Sequence, residues 1–92
     1  MSDKAEISWR RHAEDGEKLH VYARRFAGQW TFYARGRRYD QWAEQPQPPL
    51  EDWLELLDAV RRRINRRLLT PEEEQRVERE ILKRYPAAKL SP

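Results

Sequence analysis

Apolar and polar residues alternate along the first third of the chain, a pattern typical of β-strands because successive side chains of a strand point to opposite faces. Ile7 and Trp9 alternate with polar residues and predict a first strand. The alternation resumes between residues 18 and 36, on both sides of an Ala-Gly pair that suits a tight turn. The pattern therefore predicts three antiparallel strands joined by two hairpins.

Pairing about the Ala27-Gly28 turn decides which residues of the second hairpin share a face. One face is mostly apolar, and its opposite pairs are Arg25 with Trp30, Ala23 with Phe32, Val21 with Ala34, and Leu19 with Gly36. The other face, called the open face below, carries aromatic, basic and polar side chains: His20, Tyr22, Arg24, Phe26, Gln29, Thr31, Tyr33 and Arg35. We expect the sheet to bury the apolar face and to expose the open face.

The loop of the first hairpin has two possible lengths. A three-residue loop, Glu14-Asp15-Gly16, pairs Trp9 with Val21 on the apolar face. A two-residue Asp15-Gly16 turn shifts the pairing by one residue and moves Trp9 beside Tyr22 on the open face. The hydrophobic pattern favours the longer loop.

A fourth short strand is predicted at about Tyr39 to Ala43, after a turn at residues 36–38. In this interpretation Trp42 returns to the apolar side of the sheet, near Phe32. The following Gln-Pro-Gln-Pro-Pro segment, residues 45–49, cannot continue a strand ladder because proline lacks an amide donor. It predicts a stiff connector that ends the sheet.

The apolar residues after the connector have helical spacing and predict two helices. The first covers about residues 50–69, with Leu50, Trp53, Leu54, Leu57, Val60, Ile64 and Leu68 as its apolar positions. Thr70 is the predicted N-cap of a second helix at about residues 71–85, and Glu73 is the predicted capping-box glutamate. The inward residues of this helix are Val77, Ile81, Leu82 and Tyr85, and residues 86–92 form a tail.

Strands that precede helices in this way predict an α+β fold of two layers. A three- or four-stranded antiparallel meander, at about residues 6–44, is followed by a two-helix hairpin packed on one of its faces. Residues 1–92 are expected to form a single domain. The predicted core contains Ile7, Trp9, Leu19, Val21, Trp30, Phe32, Trp53, Leu57, Val60 and Ile64.

Composition narrows the functional classes. The chain has no cysteine, which excludes disulfides and thiolate chemistry, and no apolar run approaches the roughly 20 residues of a membrane span. The first residues are polar, so a cytoplasmic protein without a membrane partner is the expectation. Only His12 and His20 could act as acid and base in phosphodiester cleavage, and no third orienting group accompanies them. We therefore expect no enzymatic activity, no metal site and no cofactor.

The distribution of charge points to the open face as the candidate binding surface. The net charge is only +3, but the segment from Lys18 to Tyr39 contains six Lys or Arg and no Asp or Glu. Arginine outnumbers lysine fifteen to four, a bias that genome composition or heat adaptation also explains. The candidate binding residues are Arg10, His20, Tyr22, Arg24, Phe26, Tyr33, Arg35, Arg37 and Arg38.

Two kinds of partner are consistent with this surface. Tyrosine rings can stack on unpaired bases while arginines contact phosphates, which favours nucleic acid. The same residue types anchor protein interfaces, and the basic charge then requires a partner with an acidic surface. We interpret the chain as a small binding or accessory domain for an acidic protein. The alternative is a nucleic-acid-binding domain that uses the same sheet face, either for single-stranded RNA or DNA or for the groove of a duplex.

A second group of basic residues lies between Arg61 and Arg67. Asp58 precedes Arg62 by four residues, and basic charge at the end of a helix stabilises the helix. The sequence therefore favours a structural role for this cluster. The four tryptophans, Trp9, Trp30, Trp42 and Trp53, likewise fall on predicted inner faces and are interpreted as core residues.

Overall fold

Four antiparallel strands and two helices make up the parts of the chain that the computed structural model describes, residues 5–36 and 40–90. The strands are β1 (Ala5–His12), β2 (Lys18–Phe26), β3 (Gln29–Arg35) and β4 (Ala43–Gln45), and the helices are α1 (Leu50–Asn65) and α2 (Pro71–Arg84). The strands lie side by side in the order β1-β2-β3-β4, a meander. The predicted α+β fold class is confirmed. The chain divides into two compact units, residues 1–48 with the sheet and residues 49–92 with the helices.

Both hairpin registers agree with the predictions. Trp9 pairs with Val21 across the first hairpin, and Ala23 pairs with Phe32 across the second. The first loop is the longer of the two alternatives: the amide of Ala13 donates to the carbonyl of Glu17 at 2.8 Å, and Gly16 has a φ of 87°. A left-handed glycine at this position is what a three-residue loop requires.

Burial alternates along the strands as the register requires. The buried sheet residues are Ile7, Val21, Ala23, Phe32 and Ala34, all on the apolar face. Trp9 lies on the same face and meets the Phe32 ring edge-on, with 6.1 Å between ring centroids. Trp9, Leu19 and Trp30, predicted for the core, are half-buried. Leu19 and Trp30 lie near strand ends, and Trp9 lies on the edge strand β1, so the apolar face is more open at these positions than at its centre.

Strand β4 differs from the prediction in position and in facing. It covers Ala43–Gln45, whereas residues 37–39, where we expected its turn and its start, lie outside the described residues. Ala34 pairs with Ala43, so Trp42 precedes the strand and lies level with Arg35 on the open face. The prediction that Trp42 returns to the apolar side near Phe32 was wrong, because the pairing register places it one position away from that face.

Helix α1 buries one face and ends earlier than predicted. Trp53, Leu57 and Val60 are buried as expected, together with Leu56 and Ala59, which the prediction did not include. The predicted inward residues Leu54 and Leu68 are exposed, and Ile64 is half-buried. The helix ends at Asn65, so Leu68 follows it rather than belonging to its apolar face.

Helix α2 begins at Pro71, with Thr70 at the N-cap as predicted. The Thr70 hydroxyl makes no capping hydrogen bond within the described chain, although the amide of Glu73 donates to the Thr70 carbonyl at 3.0 Å. The side-chain cap that we predicted was therefore wrong. Val77 and Ile81 are buried as predicted, whereas Leu82 is exposed and Tyr85 is half-buried.

Candidate binding surface on the open sheet face

The strand registers bring most of the predicted binding residues together in cross-strand rows. Arg10, His20 and Arg35 form one row, and Ser8, Tyr22 and Tyr33 form the next. Arg24 lies between Glu6 and Thr31 in a third row, and Phe26 stands at the end of β2 opposite Gln29. The two remaining predicted residues, Arg37 and Arg38, lie outside the described residues.

An aromatic cluster forms the centre of this surface. The rings of Tyr22 and Tyr33 are stacked across β2 and β3, with centroids 4.7 Å apart and planes 18° from parallel. Trp42 meets Tyr22 edge-on, again with centroids 4.7 Å apart. The guanidinium carbon of Arg35 lies 4.2 Å from the centroid of the Trp42 ring, a cation–π contact. These contacts hold four side chains in one arrangement, the aromatic-arginine cluster.

The sequence interpretation missed one main residue of this surface, Trp42. Its side chain is 37% exposed, so it presents a large partly apolar area beside Arg35. Because tryptophan is apolar, we predicted that Trp42 lies in the core. Its position on the open face follows instead from the pairing of Ala34 with Ala43. That pairing is a property of a three-residue strand and cannot be read from alternation over so short a segment.

Two acidic residues also lie on the open face. Glu6 is level with Arg24, and Glu44 pairs with Tyr33. Glu6 forms an ion pair with Arg24 at 3.8 Å, and both side chains are exposed enough that water screens most of the attraction. Basic residues still outnumber acidic ones on the described part of the face, since Arg10, Lys18, Arg24 and Arg35 face only these two glutamates.

The electrostatic environment of Tyr22 reflects this arrangement. Its pKa is raised above the usual 10.0, first by burial of the phenol and then by the neighbouring Tyr33. Arg24 acts in the opposite direction, and Glu6 raises the pKa further. Tyr22 is therefore a neutral hydroxyl at physiological pH, able to donate a hydrogen bond but unable to act as a base.

A recess of about 460 Å³ opens next to the cluster. Glu6, Ser8, Tyr22 and Trp42 line it, so it combines two aromatic rings with a carboxylate and a hydroxyl. This volume lies within the range of small-molecule pockets and easily holds a side chain of a binding partner.

The positions of the two histidines follow from the strand registers. His12 pairs with Lys18 and His20 pairs with Arg10, so the two histidines lie in neighbouring rows and each faces a basic residue. Among residues 5–36 and 40–90, no three His, Asp or Glu side chains come together as ligands for a metal ion. Neither helix in the described chain is long and apolar enough to cross a bilayer.

Comparison with known proteins gives no further guide to function. The chain matches no protein family, no curated protein and no solved structure at a significant level of similarity.

Proposed function

We propose that this protein is a non-enzymatic binding domain whose open sheet face binds a protein partner with an acidic surface. The observation that carries the proposal is the Arg35 guanidinium, which lies on the Trp42 ring and forms no ion pair with the described residues. A positive charge held in place by an aromatic ring, without a carboxylate from residues 5–36 or 40–90, is ready to receive a carboxylate from a partner.

The residue types of the cluster support a protein interface. Tyrosine, tryptophan and arginine are enriched among the residues that dominate the binding energy of protein interfaces. The two aromatic types bury large areas at a small cost in side-chain entropy. Here Tyr22 already contacts both Tyr33 and Trp42, so part of the entropy cost of ordering these side chains is met before a partner binds. The excess of arginine and lysine on the face favours acidic partners and disfavours basic ones.

The same contacts argue against single-stranded nucleic acid as the ligand of this face. Base stacking requires free ring faces, and the observed contacts reduce their number: Tyr22 and Tyr33 each use one face in their mutual stack, and Arg35 covers one face of Trp42. Glu6 and Glu44 add negative charge to the face, which repels the phosphate that recurs at every nucleotide, whereas a protein partner can place its carboxylates opposite the arginines alone. We therefore favour the protein partner over the nucleic-acid alternative.

The proposal is tested with a displayed library of random peptides selected on the native protein. We expect the selected peptides to be rich in Asp and Glu beside aromatic residues. Arg35→Gln and Trp42→Ala should each weaken the binding of these peptides, measured by calorimetry, by about 2 kcal/mol or more, the size of an interface hot spot. Circular dichroism of both variants checks that the fold is retained.

Arg79→Gln is the matched control, because it removes the same charge from an exposed position of α2, outside the sheet. It should leave peptide binding unchanged. Selection of peptides without acidic residues, or equal weakening by Arg79→Gln, contradicts the proposal. Oligonucleotide binding that is tighter than peptide binding and that is lost in Arg35→Gln and Trp42→Ala would assign the face to nucleic acid instead.

A further inference from the structure

The arginines of the helical unit fall into two groups. In the first group, each guanidinium has a carboxylate partner: Arg61 contacts Glu74 at 2.7 Å and Glu78 at 3.8 Å, Arg62 pairs with Asp58, Arg76 contacts Glu73 at 3.0 Å, and Arg84 contacts Glu80 at 2.8 Å. The second group comprises three arginines around the end of α1, Arg63, Arg66 and Arg67, together with Arg79 in α2, and these form no ion pair with the described chain. The first three lie within five residues of one another at the end of α1. Their charge is therefore not neutralised locally.

The backbone at this point is unusual for arginine. Arg67 has a φ of 60°, and the amide of Leu68 donates to the Arg63 carbonyl at 2.8 Å while the amide of Arg67 donates to the Ile64 carbonyl at 2.9 Å. These bonds form a Schellman motif, in which the left-handed residue is normally glycine because a Cβ atom is strained there. The chain thus places a strained arginine where glycine would be more stable.

Helix stability explains only part of this arrangement. Basic residues near a helix C-terminus interact favourably with the macrodipole, which accounts for positive charge in the last turn of α1. That effect applies equally to Arg62 and Arg63 inside the helix, and it gives no reason for arginine in the left-handed position after it. Leu68, the next residue, is 66% exposed and adds an apolar side chain to the same turn.

We propose that this arginine turn, formed by Arg63, Arg66, Arg67 and Leu68, is a docking site for the phosphodiester backbone of nucleic acid. Guanidinium groups bind phosphate oxygens through two parallel hydrogen bonds, and three unneutralised guanidinium groups provide several such contacts. The arginine turn belongs to the helical unit, whereas the open face belongs to the sheet unit, so this proposal goes beyond the function proposed above.

The composition of the arginine turn distinguishes nucleic acid from other acidic partners. The turn has no aromatic residue and one exposed leucine, so it lacks the buried anchors that protein interfaces need. Membrane-surface binding normally requires clusters of four to eight basic residues, and this turn offers three that are unpaired. Binding dominated by charge, with little apolar burial, is characteristic of contacts to a nucleic-acid backbone.

The test measures the salt dependence of binding to a short fluorescent DNA duplex of random sequence by anisotropy. The triple variant Arg63→Gln, Arg66→Gln, Arg67→Gln should bind more weakly than the parent protein. The slope of log affinity against log salt concentration should be smaller in magnitude by about 2.7 in this variant, because three phosphate contacts are lost and each contributes roughly 0.9 to the slope. The matched control changes Arg62, Arg76 and Arg84 to Gln, which removes the same charge from ion-paired positions, and it should keep the parent slope.

Arg67→Gly separates binding from folding. Glycine relieves the left-handed strain, so the variant should melt at a higher temperature than the parent protein, while the salt slope should fall by about 0.9. A purely structural role for Arg67 predicts no change in the slope. The proposal is overturned if the triple variant and its control lose affinity equally, if the parent protein does not bind the duplex at about 50 mM salt, or if it binds vesicles containing phosphatidylserine in preference to DNA.

Discussion

Ala27 occupies a backbone conformation that its side chain disfavours. Its φ is 53°, and Gly28 beside it has a φ of 78°, so both central residues of the turn between β2 and β3 are left-handed. Two-residue hairpins prefer such turns because their twist matches that of the strands, and the preferred sequence is Asn-Gly rather than Ala-Gly. The register of the open face therefore depends on a turn that includes local strain.

Ala27→Asn should stabilise the protein. Asparagine tolerates the left-handed region better than alanine, and we expect a gain of about 0.5 to 1 kcal/mol in the free energy of unfolding, measured by urea denaturation. Ala87→Asn, at an exposed position without a positive φ, is the matched control and should change stability by less than about 0.5 kcal/mol. Destabilisation by Ala27→Asn would show that the turn has a different conformation.

The pKa of Tyr22 reports the electrostatics of the open face directly. Arg24→Gln should raise this pKa further, because Arg24 favours the phenolate, and Glu6→Gln should lower it. Ultraviolet titration of the phenolate, with Tyr22→Phe to assign the signal, measures both changes. Equal pKa values in the parent protein and the two variants would mean that Arg24 and Glu6 do not face the Tyr22 hydroxyl.

The same pKa shift has a consequence for stability. The folded state keeps Tyr22 protonated above the pKa of 10.0 that the side chain has when it is unperturbed. This contribution to stability is therefore fully present below pH 10 and is lost as the pH rises through the higher pKa of the folded state. The loss at alkaline pH should be smaller in Tyr22→Phe, which has no phenol to titrate there.

At the scale of the elements, the start of α2 shows that a helix can begin at a typical capping sequence without the side-chain hydrogen bond of a cap. Thr70 is followed by proline and then by three glutamates, the composition of a helix start, and the helix begins there. Proline at the first position, together with the acidic first turn, favours this start even though the threonine hydroxyl makes no cap bond. The sequence predicted where the helix begins but not which atoms satisfy its amides.

Thr70→Ala should therefore have a small effect. A threonine that caps through its hydroxyl typically contributes about 1 kcal/mol, whereas we expect a loss below about 0.5 kcal/mol here. Thermal denaturation followed by circular dichroism measures the difference, and Thr70→Ser serves as the control that keeps the hydroxyl. A loss near 1 kcal/mol for Thr70→Ala alone would indicate that the hydroxyl caps the helix in solution.

The elements differ in how far their pattern determines them. The long strands β1 to β3 were predicted with their registers, because a shift of one residue would expose every apolar side chain such as Val21 or Phe32. Strand β4 has three residues and no alternation, so its facing could not be read, and Trp42 was misplaced. In α1 the buried positions 53, 56, 57 and 60 follow one helical face, whereas Leu54 lies off that face and is exposed.

For the whole molecule, tryptophans of similar appearance in the sequence have different roles in the two units. Trp53 in α1 is 2% exposed, and the guanidinium carbon of Arg84 lies 4.9 Å from the centroid of its ring. Trp42 in the sheet unit is partly exposed and belongs to the aromatic-arginine cluster. An arginine guanidinium contacts each of the two rings, so a cation–π contact alone does not identify a binding residue. Burial separates them, because Trp53 is almost completely buried whereas Trp42 keeps exposed surface.

This difference predicts opposite responses to truncation. Trp53→Ala should reduce the free energy of unfolding by about 3 to 5 kcal/mol, the usual cost of removing a large buried aromatic side chain. Trp42→Ala removes the contacts of a partly exposed ring with Tyr22 and Arg35 and should cost about 1 kcal/mol. Urea denaturation measures both values.

Peptide binding should respond in the reverse order. Trp53→Phe, which keeps most of the buried volume, should leave the affinity of the selected acidic peptides unchanged, whereas Trp42→Phe should weaken it because the smaller ring holds Arg35 less firmly. The two conservative variants keep the fold, so a difference in affinity between them does not come from unfolding. Equal peptide affinities of Trp42→Phe and Trp53→Phe would show that Trp42 does not belong to the binding surface. The reason for placing the partner's carboxylate at Arg35 would then be lost as well.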